Sequence, residues 1–180
     1  LYSFASTLEL CFIAIIMANL IAIPLGIFAG LNRYRLIDNL IMAMALIGIA
    51  LPVFWLSIIS TILPRNIGIT LPIDGSISPL FEIENISGFL LIDTLLGADS
   101  DSFKAFFNRL AHLILPAAVL SFFLITEITR LTRHAVTTVI KSNYIKAAYA
   151  KGLSRKQIVF SHVINNALPA VIHQFRLQFS

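Results

Sequence analysis

The chain has 180 residues, of which 58% are hydrophobic and only 12% charged, and its mean hydropathy is +0.89. Soluble domains carry about twice that share of charge, so the composition excludes an ordinary globular domain and makes lipid the expected solvent. A net charge of +4 would suit nucleic acid or an anionic surface, but the charges sit at the ends of apolar runs and read as membrane topology.

A bilayer core about 30 Å thick needs roughly 20 apolar residues of helix. The first qualifying run covers about 7–31 and the second about 37–63, parted by the polar turn Asn32, Arg33, Tyr34, Arg35; together they predict a transmembrane hairpin. Glu9, near the outer end of the first run, is expected to be hydrated at the interface. Gly26 and Gly30 form a GxxxG pair that admits a second helix closely. Each run carries a proline, Pro24, Pro52 and, in the third run, Pro116, which a packed bundle tolerates when neighbours satisfy the freed backbone.

The loop 64–111 follows, with three basic residues against six acids (Asp74, Glu82, Glu84, Asp93, Asp99, Asp101). Its segment 86–96 is apolar but too short to cross, and reads as an interfacial, scoop-like helix or a simple packing element. The third span covers about 112–133, with Glu127, Arg130 and Arg133 at its far end, where long side chains snorkel. Seven Lys and Arg residues fall in 130–162 and two in the first turn. The positive-inside rule therefore turns the acidic loop outward, to the periplasm, and the basic segments to the cytoplasm. Another apolar segment starts after about 168. The chain opens on Leu1 without a basic leader and stops at Ser180 in a helix-like stretch, so it is expected to be a fragment of one transmembrane domain. The expected fold class is an all-α membrane protein.

The cytoplasmic stretch, about 135–165, predicts a helix capped by Ser142 or Asn143 and ended by Gly152 in the left-handed conformation. Ser154 and Gln157 then form a capping box for a second helix that runs until Pro169. The small Ala147 and Ala148 allow another protein to approach, and Lys146, Lys151, Arg155 and Lys156 favour an acidic or phosphate-bearing neighbour. A hairpin lying on anionic lipid fits the same residues. A DNA-reading helix-turn-helix fits poorly between membrane spans.

Lys146, Ala147, Ala148 and Gly152 resemble the EAA loop of permease subunits in binding-protein-dependent ABC importers, with lysine in place of the acidic residue. That departure, Ala148, Ala150, Lys151, Gly152, Leu153 and Ser154, and the later Asn165, Asn166, Ala167, Leu168 and Pro169, are similar to the dipeptide and oligopeptide branch. Further similarity runs through IPLGIFAG (23–30), LPVFWL (51–56), LPIDG (71–75) and ISGFLLID (86–93). Within the branch the outward loop is most similar to peptide permeases linked with resistance to antimicrobial peptides.

The resemblance implies a type I ABC importer membrane domain. Its partners would be a second permease subunit, two ATP-binding cassette subunits that dock on the EAA loops, a periplasmic substrate-binding protein and the lipid bilayer, with no nucleic acid. The fragment would lack one helix before it and about two after it. Lys146, Ala147, Ala148, Lys151, Gly152, Leu153 and Ser154 would couple to the ATPase, with Gly152 as the hinge turn.

Glu127 and Arg130, three apart on one helical face, are candidates for lining the path as well as interfacial charges. No cofactor is expected in the chain: it has no GxxxxGK[ST] loop, so ATP belongs to partner subunits. The four histidines (His112, His134, His162, His173) lack metal-ligand spacing, Cys11 has no partner for a disulfide, and no GxSxG elbow suggests a hydrolase; no enzyme activity and no metal are expected. An ion-driven transporter would place acids at mid-span, which the first two runs lack. Polyamine, nickel or haem-type ligands stay open as alternatives to peptide.

Overall fold

The computed structural model describes residues 2–68, 71–72, 75–81, 83, 86–97 and 101–178. Asp74, Glu82, Glu84 and Asp99 of the acidic loop, and the side chains of His173 and Arg176, lie outside what is described. Among the described residues every regular element is helical: α1 (Tyr2–Leu31), α2 (Leu36–Ala50), α3 (Val53–Asn66), α4 (Leu90–Leu96), α5 (Ser102–Ile140), α6 (Asn143–Ala150), α7 (Arg155–Gln157), a π-helix (Ile158–Ile164) and α8 (Asn165–Gln178).

By length and composition two helices can cross a membrane, Phe4–Leu31 and Ser102–Ile140; Leu36–Ala50 with Val53–Asn66 makes a third if the pair acts as one broken span. The single helix expected over 37–63 is thus two. Pro52 is the reason. A residue before proline is pushed out of the α region, which ends α2, and Pro52 itself is extended (φ −65°, ψ 136°) as the N-cap of α3. Its carbonyl accepts from the N–H groups of Trp55 and Leu56, so a new helix starts at once. Pro24, Pro64, Pro116 and Pro169 lie inside helices without ending them. Pro169 therefore does not stop the last helix as expected; the chain widens into seven residues of π-helix just before it. The helix of the third run also starts earlier than expected, at Ser102.

The chain forms two compact units, residues 1–17 with 51–122, and residues 18–50 with 123–180. In the first unit Glu9 and Arg109 form a buried ion pair, Arg109 Nη2 to Glu9 Oε2 at 2.7 Å. The other oxygen, Oε1, accepts from the Leu91 N–H at 2.7 Å, in the first turn of α4, and Arg109 Nη1 donates to the Ser76 carbonyl at 2.8 Å. Glu9 is therefore not hydrated as expected, because a partner lies 100 residues away in sequence. It ties two loop segments to α1 and α5.

Nearby, Asp93 accepts from the Ser87 N–H and hydroxyl at 2.7 and 2.6 Å and from the Gly88 N–H at 3.2 Å. Burial pushes the Asp93 carboxyl up, but the Ser87 hydroxyl and the backbone N–H groups outweigh it and hold it below the usual carboxylate range. The turn before α4 is thus folded around a fixed anion.

In the second unit α1 packs on α5 through small residues. Alanine or glycine recurs at every fourth position (Ala18, Ala22, Gly26, Gly30), and all four are buried. Ala18 and Ala22 meet Ile128, with Leu124 and Ile125 beside them. Further along, a Cβ at Gly26 would lie 2.5 Å from the Thr132 Cβ and 2.8 Å from the Thr129 carbonyl oxygen. The backbones touch, as small residues permit where no side chains intervene.

Candidate functional site

The segment after α5 is built by local hydrogen bonds. Lys141 N–H and Ser142 N–H bond the Thr138 and Val139 carbonyls, closing α5. Ser142 occupies the N-cap position of α6, yet its hydroxyl donates backward to the Val139 carbonyl at 2.5 Å and caps nothing. The expected cap is at the expected place without its expected bond, because the end of α5 competes for the hydroxyl.

α6 has two faces. Ile145 and Ala148, three residues apart, are buried against Ala135 and Val136 of α5 and against Ile158 and Val163 of the π-helix. Tyr144, Lys146, Ala147, Tyr149 and Ala150 are exposed. The alanine pair thus divides: Ala147 faces outward, whereas Ala148, 6% exposed, belongs to the chain's own core. Adjacent helical residues cannot share a face.

The end of α6 is a Schellman motif. Gly152 has φ +81°; its N–H bonds the Tyr149 carbonyl at 3.0 Å, and the Leu153 N–H reaches back to the Ala148 carbonyl at 3.3 Å. Leu153 then packs on the core that holds Ala148. Ser154 follows as an N-cap whose Oγ accepts from the Gln157 N–H at 3.4 Å, while the Gln157 Oε1 accepts from the Ser154 N–H at 3.0 Å. The capping box is complete. Lys151, Gly152, Ser154, Arg155 and Lys156 are all exposed. The segment therefore presents Tyr144, Ala147 and Tyr149 beside lysines next to a hydrogen-bonded turn, a surface suited to an acidic or phosphate-bearing neighbour.

Two charged groups lie just before it on α5. Glu127 and Arg130 approach to 3.5 Å along one face, with Arg130 about half exposed. Arg133, expected to snorkel, instead forks onto Asp38: Nε to Oδ1 at 2.5 Å and Nη2 to Oδ2 at 2.7 Å. Asp38 is fully buried and also accepts the Tyr34 N–H at 3.0 Å. Tyr34 adopts φ +65°, a conformation that residues with a Cβ rarely take. It is held there by Asp38 and by the Arg33 guanidinium 4.6 Å above its ring.

Sequence reading missed Asp38 and the Glu9–Arg109 pair. A signal was present: an acid inside an apolar run is costly unless paired, so Glu9 and Asp38 each called for a cation elsewhere in the chain.

The family described as "Binding-protein-dependent transport system inner membrane component" matches residues 22–180. Over 177 residues the chain is 41% identical to the "Peptide transport system permease protein SapB" of Escherichia coli O157:H7, covering 98% of this chain and 55% of that protein. It has the same identity and coverage to a protein of Escherichia coli (strain K12) named "Putrescine export system permease protein SapB". It is 40% identical over 176 residues to the "Di/tripeptide transport system permease protein DppB" of Pseudomonas aeruginosa (strain UCBPP-PA14), covering 97% of this chain and 51% of that protein. The chain spans about half the length of the curated relatives it matches.

Proposed function

The chain belongs to the family of binding-protein-dependent transport system inner membrane components, whose fold is the type I ABC importer membrane domain, and from that premise we propose that the protein it is part of moves peptides. Relatives named for peptide and di/tripeptide transport support this reading. The chain forms part of the path and carries no chemistry of its own. ATP is held by two ATPase subunits, a second permease subunit completes the pathway, and a periplasmic binding protein delivers the substrate. We propose a role in resistance to antimicrobial peptides as well, from the resemblance of the outward loop. Polyamine is the second reading, favoured by the relative named for putrescine export.

The observation that carries coupling is the α6 turn. Its exposed face, Ala147 with Lys146 and Lys151, is held by the Schellman motif at Gly152 and by the capping box at Ser154. Glu127 and Arg130 are proposed to face the path near the inner end of α5. The loop 64–111 is placed in the periplasm and residues 135–165 in the cytoplasm, from the charge asymmetry.

That topology has a direct check. In a Cys11→Ala background, an impermeant thiol reagent added outside should label Leu80→Cys and spare Lys141→Cys; the reverse pattern overturns it.

The function is tested on the full-length complex, reconstituted with its ATPase and permease partners. Peptide presented by the binding protein should stimulate ATP hydrolysis, and putrescine should not; the opposite outcome establishes the polyamine reading. Gly152→Val meets open space, so it adds backbone strain of about 1–2 kcal/mol without a clash. It is expected to insert normally but to lose the ATPase, or its peptide stimulation. Normal copurification together with normal stimulation would return the segment to a lipid-surface role.

A further inference from the structure

α2 is attached to its unit in an unusual way. It exposes Leu36, Leu40, Met44, Leu46 and Ile47 and buries only Asp38, Ala45 and Gly48. Two of those are too small to fix a helix by interdigitation, which needs side chains that fill grooves. Asp38 is therefore its one directional anchor among the buried residues. Both carboxylate oxygens are taken by the Arg133 fork, and Oδ2 also takes the Tyr34 N–H from the turn that joins α1 to α2. A bidentate arginine pair fixes an angle as well as a distance, which a lysine point charge does not.

The other end of this arrangement is the docking segment. Arg133 lies less than one turn before Ala135 and Val136, and these pack in one core with Ile145 and Ala148 of α6 and with Ile27 and Leu31 of α1. A displacement of α6 thus reaches α1 through apolar contacts, which are non-directional. It reaches α2 and the α1–α2 turn through the Arg133 fork.

We propose that the Asp38–Arg133 pair is the joint through which the docking segment sets the position of α2, making both side chains positioning residues for coupling. This rests on the transport reading above. A purely structural pair predicts something different, since replacing both members of a buried ion pair with neutral groups is often without cost, whereas removing one leaves a buried charge.

The test uses the full-length subunit in its reconstituted complex, with three variants: Asp38→Asn, Arg133→Lys, and Asp38→Asn with Arg133→Met. Copurifying ATPase, basal hydrolysis and peptide-stimulated hydrolysis are measured. The double variant should assemble and hydrolyse ATP basally like wild type while its stimulation falls about tenfold, within the range that residues on a coupling route impose. Arg133→Lys, which keeps the charge but not the fork, should fall between the double variant and wild type. Wild-type stimulation in the double variant overturns the proposal. So does loss of ATPase from all three variants, which would make the pair a folding requirement. If the wild-type complex is not stimulated by peptide, the transport reading fails separately. The joint is then judged by hydrogen exchange, which in the double variant should rise about tenfold across α2 and stay unchanged across α1; equal exchange in both helices overturns it.

Discussion

Replacing Arg109 with methionine is expected to destabilise the first unit by about 3–5 kcal/mol, the usual cost of leaving one member of a buried ion pair without its partner. Arg109 is 3% exposed and spends three nitrogens on fixed acceptors: Nη2 and Nε on Glu9 Oε2 and Nη1 on the Ser76 carbonyl. Methionine fills similar volume but supplies no donor, so Glu9 stays buried with only the Leu91 N–H on its carboxylate. The loop should respond first, since Ser76 and the start of α4 are held through this pair. Thermal unfolding of the full-length protein in detergent, with hydrogen exchange read at Leu91, measures both effects. Glu9→Gln combined with Arg109→Met leaves no buried charge, and glutamine still accepts the Leu91 N–H; it should recover more than half of the loss. An Arg109→Met protein as stable as wild type would show that the pair contributes nothing. A double variant as unstable as the single would show that packing, and not charge, is at stake.

What sequence made legible here is local. Run length and hydropathy announce helices because a helix satisfies its own backbone in lipid. Gly152 and the Ser154–Gln157 box could be placed because a left-handed residue and a reciprocal cap are written within four or five positions. The features that were not legible are those decided over distance or by competition. Arg133 and Asp38 are 95 residues apart, and nothing in either neighbourhood names the other. Ala147 and Ala148 look alike in sequence, and it is the placement of Ala135, Val136, Ile158 and Val163 that sends the second of them inward. Pro52 ends a helix while Pro24, Pro64, Pro116 and Pro169 do not. The rule that proline is tolerated in membrane helices does not say at which one the chain will restart.

The stripe of small residues on α1 is half visible in the sequence, as a GxxxG pair. Gly26→Ala adds one methyl, yet that carbon would stand 2.5 Å from the Thr132 Cβ, 2.9 Å from its Cγ2 and 2.8 Å from the Thr129 carbonyl oxygen. The Thr132 Cγ2 can rotate away about χ1, but the Thr132 Cβ and the Thr129 carbonyl are fixed to the α5 backbone and move only if the helix moves. The cost should therefore be that of overpacking a core, about 1–3 kcal/mol, and larger for valine, whose branches point into the same space. Gly30 gives the internal control: its Cβ would meet Val136 at 2.6 and 2.7 Å, but the nearest backbone atom, the Arg133 carbonyl oxygen, stands at 3.2 Å. Gly30→Ala should accordingly cost less than Gly26→Ala. Pairing it with Val136→Gly should restore most of the loss, whereas Gly26→Ala with Thr132→Gly should restore only part, because the Thr129 oxygen remains. Thermal unfolding in detergent ranks the four variants. The reverse order, or an unaffected Gly26→Ala protein, would mean that α1 and α5 do not meet backbone to backbone at this point, and the small residues on α1 would then need a different partner.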